Sequence, residues 1–166
     1  MRQRLLAFFA VVLALGLFGC DHASKTLVER QLHASGATVS VVPGVVELRY
    51  TENHDTAFSL SHALSTPSKS VLLTTLALVG LGACLFAWWR KRKTATPMEH
   101  IGYAMILSGA LGNGIDRLLR GYVIDFIHVT HWPVFNVADI AVCVGVGLLV
   151  LAQLRRRPAA PAPSIS

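Results

Sequence analysis

Four apolar stretches divide this chain and limit what it can become. They span residues 5–20, 71–89, 101–119 and 134–154, and the last three are 19, 19 and 21 residues long. At a rise of about 1.5 Å per residue, each of those three covers the roughly 30 Å hydrocarbon core of a bilayer. The first, at 16 residues, gains length if it extends through Ala23 with Asp21 and His22 at the interface. Composition agrees, since 53% of the chain is hydrophobic and 14% is charged, against about a quarter charged in soluble domains. Disorder, a collagen-like repeat and a disulfide scaffold are excluded as well. The 13 glycines show no period, and the only cysteines, Cys20, Cys84 and Cys143, fall inside apolar spans as small hydrophobes.

The net charge of +6 would suggest nucleic acid in a soluble protein, but the cations mark topology instead. Nine of the 15 basic residues flank the spans on one side: Arg2 and Arg4, then Arg90, Lys91, Arg92 and Lys93, then Arg155, Arg156 and Arg157. With both termini cytoplasmic, every inner end obeys the positive-inside rule. No nucleic acid is expected as a partner, because basic residues are not interleaved with exposed aromatics. The fold class predicted is an all-α membrane bundle of four transmembrane helices with a small extracytoplasmic β element. It forms one domain over residues 1–157, with segments 24–70 and 120–133 outside, and residues 158–166 make a flexible cytoplasmic tail rich in alanine and proline. The β element is a hairpin of Thr38–Val42 and residues 45–50 around Pro43-Gly44, with Val46, Leu48 and Tyr50 on one face. Gly80-Leu81-Gly82-Ala83, Gly109, Gly112 and Gly145-Val146-Gly147 are expected to let helices approach closely. Trp88, Trp89 and Trp132 are expected to anchor the interfaces.

Polar residues in apolar surroundings carry the functional information, because an ionisable group at membrane depth costs at least about 2.5 kcal/mol. Asp21, Asp116, Arg117, Asp125 and Asp139 qualify. Asn113 precedes Asp116 by three residues and Asn136 precedes Asp139 by three, so each asparagine shares a helix face with its aspartate. Counting from the span ends puts Asp116 and Asp139 about 4.5 and 7.5 Å inside the outer surface. Asp125 lies in Val123-Ile124-Asp125-Phe126-Ile127, too apolar for a free loop, and folds back to the same level. Asp116 is expected to form a structural ion pair with Arg120, one turn on, beside Arg117. Asp125 and Asp139 lack a basic neighbour at helical spacing. If they face each other they cannot both ionise easily, and one keeps a proton while the other accepts one from water, as in aspartic proteases. Proton relay in a transporter and interhelical packing remain open on the same residues. So does a lipid-anchored lipoprotein, because Leu17-Phe18-Gly19-Cys20 after a basic, apolar start imitates a lipoprotein signal sequence.

Taken in order, the motifs resemble those of the lipoprotein signal peptidase (signal peptidase II) family of bacterial four-span aspartyl proteases. Asp21 to Lys25 resembles Asp-x-x-x-Lys. Gly112-Asn113-Gly114-Ile115-Asp116-Arg117 is similar to Gly-Asn-x-x-Asp-Arg, Val123-Ile124-Asp125-Phe126 to Val-x-Asp-Phe, and Phe135-Asn136-Val137-Ala138-Asp139 to Phe-Asn-x-Ala-Asp. The resemblance implies that Asp125 and Asp139 are the catalytic pair, with Asn53, Asn113, Arg117, Asn136, Asp21 and Lys25 binding substrate or supporting the site. It implies cleavage of diacylglyceryl-modified prolipoproteins on the amino side of the lipidated cysteine, at the outer face of the bacterial inner membrane. Membrane lipid is the other expected partner, the expected state is a monomer, and no cofactor or metal is called for. His128 and His131 lack the helical His-Glu-x-x-His pattern of a zinc site. One departure stands in Asn53-His54-Asp55-Thr56-Ala57-Phe58, where Asp55 replaces the family's usual glycine.

Overall fold

A computed structural model describes residues 1–54 and 66–155, with side chains omitted at 66–70 and 73. Asp55, Arg156, Arg157 and the predicted tail lie outside the described residues. Four long helices dominate: α1 (Arg2–Val28), α2 (Thr66–Lys91), α3 (Pro97–Arg120) and α4 (Val137–Arg155). Among the described residues, α1 with its π-helical continuation to His33, and α4, are long and apolar enough to cross a membrane. Helix α1 runs unbroken through Cys20.

Local chemistry sets the helix ends. Thr96 opens α3 with a capping box: its hydroxyl accepts from the Glu99 N–H at 3.2 Å, and the Glu99 carboxylate accepts from the Thr96 N–H at 2.8 Å. Pro97 takes the first helical position, where no N–H is needed. Gly121, at φ 82°, closes α3 in the left-handed region that glycine enters without penalty.

The predicted hairpin is present as β1 (Thr38–Val42) and β2 (Val46–Asn53), turning at Gly44 with φ 73°. The segment expected to fold back against the bundle is a strand, β3 (Val123–Val129), pairing antiparallel with β2 in the order β1-β2-β3. Asn53 faces Val123 and Thr51 faces Asp125 across that ladder, after an irregularity between Leu48 and Thr51. Leu48 and Tyr50 pack on a core of Val28, Leu32 and Phe126, so the sheet is seated on the end of α1. Phe126 thereby anchors the strand that carries Asp125.

Not all the small residues serve helix contact. A Cβ on Gly109 would lie 2.2 Å from the Ala138 carbonyl oxygen, and one on Gly145 would lie 2.7 Å from that of Gly102. These glycines bring α3 and α4 together, and a Cβ on Gly112 would press on the Asp21 carboxylate of α1 at 2.6 Å. Gly80, Gly82 and Gly147 meet nothing within 4 Å among the described residues, so their expected packing role is corrected. Trp88 also differs from a plain interfacial anchor, because its indole N–H donates to His100 Nδ1 at 3.1 Å. Gly109→Ala is expected to cost about 1–3 kcal/mol and to displace Ala138, the neighbour of Asp139. Gly114→Ala, with open space around it, is expected to retain stability or gain up to about 1 kcal/mol. Thermal unfolding of the two variants side by side checks the contrast.

Candidate active site

The site forms where α4 begins. Asn136 is the residue before the helix and Asp139 is its third residue. The Asn136 N–H donates to Asp139 Oδ2 at 3.1 Å, and the Asp139 N–H donates to Asn136 Oδ1 at 3.0 Å. This reciprocal cap uses a short acidic side chain, locks both residues and satisfies two N–H groups of the first turn. The other Asn-x-x-Asp, at Asn113 and Asp116, lies inside α3 and does a different job.

Asn136 is fully buried and joins the two predicted catalytic aspartates. Its Nδ2 donates to Asp125 Oδ1 at 2.7 Å, while its oxygen and backbone hold Asp139. The two carboxylates therefore converge on one residue, Asp125 on the Asn136 carboxamide and Asp139 on the Asn136 backbone N–H. Asp125 Oδ2 accepts from Asn53 Nδ2 at 2.7 Å, a contact that the β2–β3 register makes possible. Asp139 Oδ1 accepts from Asn113 Nδ2 at 2.8 Å. With 2% exposure, Asp125 loses hydration, and burial raises its pKa to about 6. The hydrogen bonds from Asn53 and Asn136 oppose that rise, and the charge of Asp139 adds to it. Arg117 donates to the Asn113 backbone carbonyl at 3.4 Å, which keeps its positive charge within electrostatic reach of Asp139, Asp125 and Asp116.

Behind the carboxylates lies a second buried layer. Lys25, 1% exposed, places Nζ 2.8 Å from both Asp21 and Asp116 and donates to Asn113 Oδ1 at 3.0 Å. Asn113 Oδ1 also accepts from Asn136 at 3.0 Å, so its amide nitrogen is the end turned toward Asp139. Asp21 in turn accepts from the Ala138 N–H at 2.9 Å, tying α1 to the first turn of α4. Asp116 is not simply the partner of Arg120. That side chain is 3.5 Å away and bonds Glu29 at 2.6 Å, so the nearer cation on Asp116 is Lys25. The Arg120–Glu29 contact crosses between elements distant in sequence, and no local spacing signals it. His128 lies 3.6 Å from Glu47 on the sheet, away from this cluster, and His131 is an exposed turn residue at φ 65°.

The sequence profile of the signal peptidase (SPase) II family matches residues 13–155. The chain belongs to the signal peptidase II family. Among its relatives, a protein of Geobacter metallireducens named lipoprotein signal peptidase is 38% identical over 151 residues, covering 89% of this chain and 90% of its own. Another of that name from Pseudoalteromonas translucida is 41% identical over 144 residues, covering 83% of each chain. Two solved structures, both described as bacterial membrane enzymes studied in meso, superpose with TM-scores of 0.77. They share 22% and 25% identity, covering 95% and 90% of this chain and 94% of their own. All six polar positions that the signal peptidase II resemblance singled out around the aspartates are near them in space: Asn53, Asn113, Arg117 and Asn136 directly, Asp21 and Lys25 behind Asn113. Two carboxylates of unequal surroundings, Asp125 buried and Asp139 partly exposed, held by three carboxamides, suit a peptidase that activates water by proton exchange.

Proposed function

We propose that this chain is a lipoprotein signal peptidase, an aspartyl endopeptidase that cuts diacylglyceryl-modified prolipoproteins on the amino side of the lipidated cysteine. The observation that carries the reading is the convergence of the Asp125 and Asp139 carboxylates on Asn136, one on its carboxamide and the other on its backbone N–H. The four helices cross the inner membrane with both termini cytoplasmic, a topology supported by the nine basic residues at the inner ends. The pair then sits near the extracytoplasmic surface, beneath the sheet.

In this mechanism Asp125 holds the proton, in keeping with its raised pKa. Asp139, in the first turn of α4, is the general base that takes a proton from water as the water oxygen attacks the scissile carbonyl carbon. Asp125 donates its hydrogen to the developing oxyanion. When the tetrahedral intermediate collapses, the C–N bond breaks, the proton on Asp139 passes to the leaving amine, and one hydroxyl of the intermediate returns its proton to Asp125 as the new carboxyl group forms. Asn113 and Asn136 keep the two carboxyl groups aimed at the same water, and Lys25 with Asp21 keeps Asn113 in place. Asn53, on the edge of the site, is placed to meet substrate backbone as well as Asp125.

The reading is tested with purified protein and two forms of one precursor, one diacylglyceryl-modified and one with the acceptor cysteine changed to serine. Cleavage of the modified form alone, giving a mass that begins at the lipidated cysteine, is expected. No cleavage, or equal cleavage of both forms, rejects it. The pH profile adds a second expectation. Loss of the Asp125 proton should lower kcat/KM on the alkaline side, with a midpoint near 6 in the free enzyme. Asn53→Ala removes a hydrogen bond that favours the ionised carboxylate, so the midpoint should move upward. An unmoved alkaline limb would assign that proton to another group.

A further inference from the structure

We infer that the inner end of the bundle holds one anionic phospholipid of the cytoplasmic leaflet, its acyl chain between α1 and the α2–α3 pair and its phosphate on Arg4, Arg92 and Lys93. The inference rests on the four-span topology proposed above, and it concerns a site remote from the aspartates. Two cavities carry it. One is an apolar groove of about 220 Å³ lined by Ala10 and Ala14 of α1, Leu81, Leu85 and Trp88 of α2, and Leu107 of α3. The small side chains on α1 leave the gap. The other, of about 410 Å³, is lined by Gln3, Arg4, Ala7, Arg92 and Lys93.

The two are successive along one seam. Ala7 of the basic cavity and Ala10 of the groove are one turn apart on α1. Gln3 of the basic cavity lies 3.3 Å from Nε2 of the buried His100, whose Nδ1 accepts from Trp88 of the groove. Trp88 therefore requires the tautomer protonated at Nε2, which donates to the Gln3 carbonyl oxygen. This chain of bonds fixes the groove's mouth beside the cations. Arg92 is held at the interface as well, its guanidinium 4.7 Å from the Trp89 ring centre and donating to the Trp89 carbonyl.

Charge complementarity selects the occupant. Among the described residues, no carboxylate lines either cavity. Inorganic phosphate would satisfy the cations and leave the groove unfilled, and a zwitterionic lipid would fill the groove while bringing its own cation to a cationic cavity. An anionic headgroup on an acyl chain matches both, in the manner of basic pockets between helices on the cytoplasmic side. From Ala7 to Phe18 the seam runs about 16 Å along α1, the reach of much of one acyl chain.

Trp88 supplies the probe. In the full-length protein carrying Trp89→Phe and Trp132→Phe, its fluorescence is measured in phosphatidylcholine vesicles containing brominated phosphatidylglycerol or brominated phosphatidylcholine. Brominated phosphatidylglycerol is expected to quench at a lower mole fraction, with preference falling by up to about fivefold for each cation removed. The combination Arg4→Gln, Arg92→Gln and Lys93→Gln should abolish the preference, and Arg4→Lys with Arg92→Lys should keep it. Ala14→Phe, which fills the groove, should reduce quenching by the anionic lipid. Equal quenching by both lipids, a preference that survives loss of the three charges, or unchanged quenching in Ala14→Phe overturns the site. Precursor cleavage is followed in the same vesicles. Equal quenching with intact cleavage rejects the lipid site alone, and a retained preference without cleavage rejects the peptidase reading alone.

Discussion

Asp139→Asn is expected to lower kcat by about three orders of magnitude or more, because it removes the group proposed to accept the proton from water. The fold should survive. Asparagine keeps a carbonyl oxygen that can accept from the Asn136 N–H at the start of α4, and the Asp139 backbone N–H still donates to Asn136 Oδ1. The Asn113 contact is lost in that orientation, because the new NH2 faces the donating nitrogen of Asn113. Asp125→Asn should lose activity on the same scale by a different route. The amide cannot deliver a proton, and its NH2 would turn toward the donating nitrogen of Asn53 or Asn136. The two effects should not add, since either loss disables the same proton exchange. Turnover of a lipidated precursor by the single and double variants, with thermal unfolding as a check on integrity, measures this. Retained turnover in either single variant would exclude the pair.

Sequence spacing reached the long apolar helices, the hairpin and the approach of Asp125 and Asp139 to one another, because each rests on a local pattern or on a motif. What it could not reach is non-local. The run 123–127 is visibly too apolar for a loop, yet its becoming a strand depends on a β2 edge some 70 residues earlier. The two Asn-x-x-Asp motifs look equivalent along the chain. Only the onset of α4 at Val137 makes the second a helix cap and leaves the first inside α3. The i,i+4 spacing of Asp21 and Lys25 announces a pair, while the arrival of Asp116 on the same ammonium depends on how α3 packs on α1. Glycines likewise advertise the possibility of close approach. Which of them are used depends on the face each helix buries, and this separates Gly109 and Gly145 from Gly80 and Gly82.

Lys25→Met should be the most destabilising single change in the molecule, at about 3–5 kcal/mol, the cost of removing one partner from a buried ion pair. Methionine preserves most of the length and leaves no donor. Asp21 and Asp116, 2% and 3% exposed, would face each other without the ammonium between them. Asp21 would retain the Ala138 N–H, and Asp116 would retain Arg120 at 3.5 Å. Asp116 Oδ2 is the more vulnerable, because among the described residues it makes no aligned hydrogen bond and its close ionic contact, at 2.8 Å, is with Lys25. Adding Asp21→Asn and Asp116→Asn to Lys25→Met removes the stranded charges and should recover a large part of the stability, as neutral replacement of buried ion networks can. Activity should recover less than stability. Asn113 Oδ1 would then be held by Asn136 alone, and its amide nitrogen would be less firmly turned toward Asp139. Equal unfolding temperatures for the Lys25→Met and triple variants would show that the buried charges are not what the lysine neutralises.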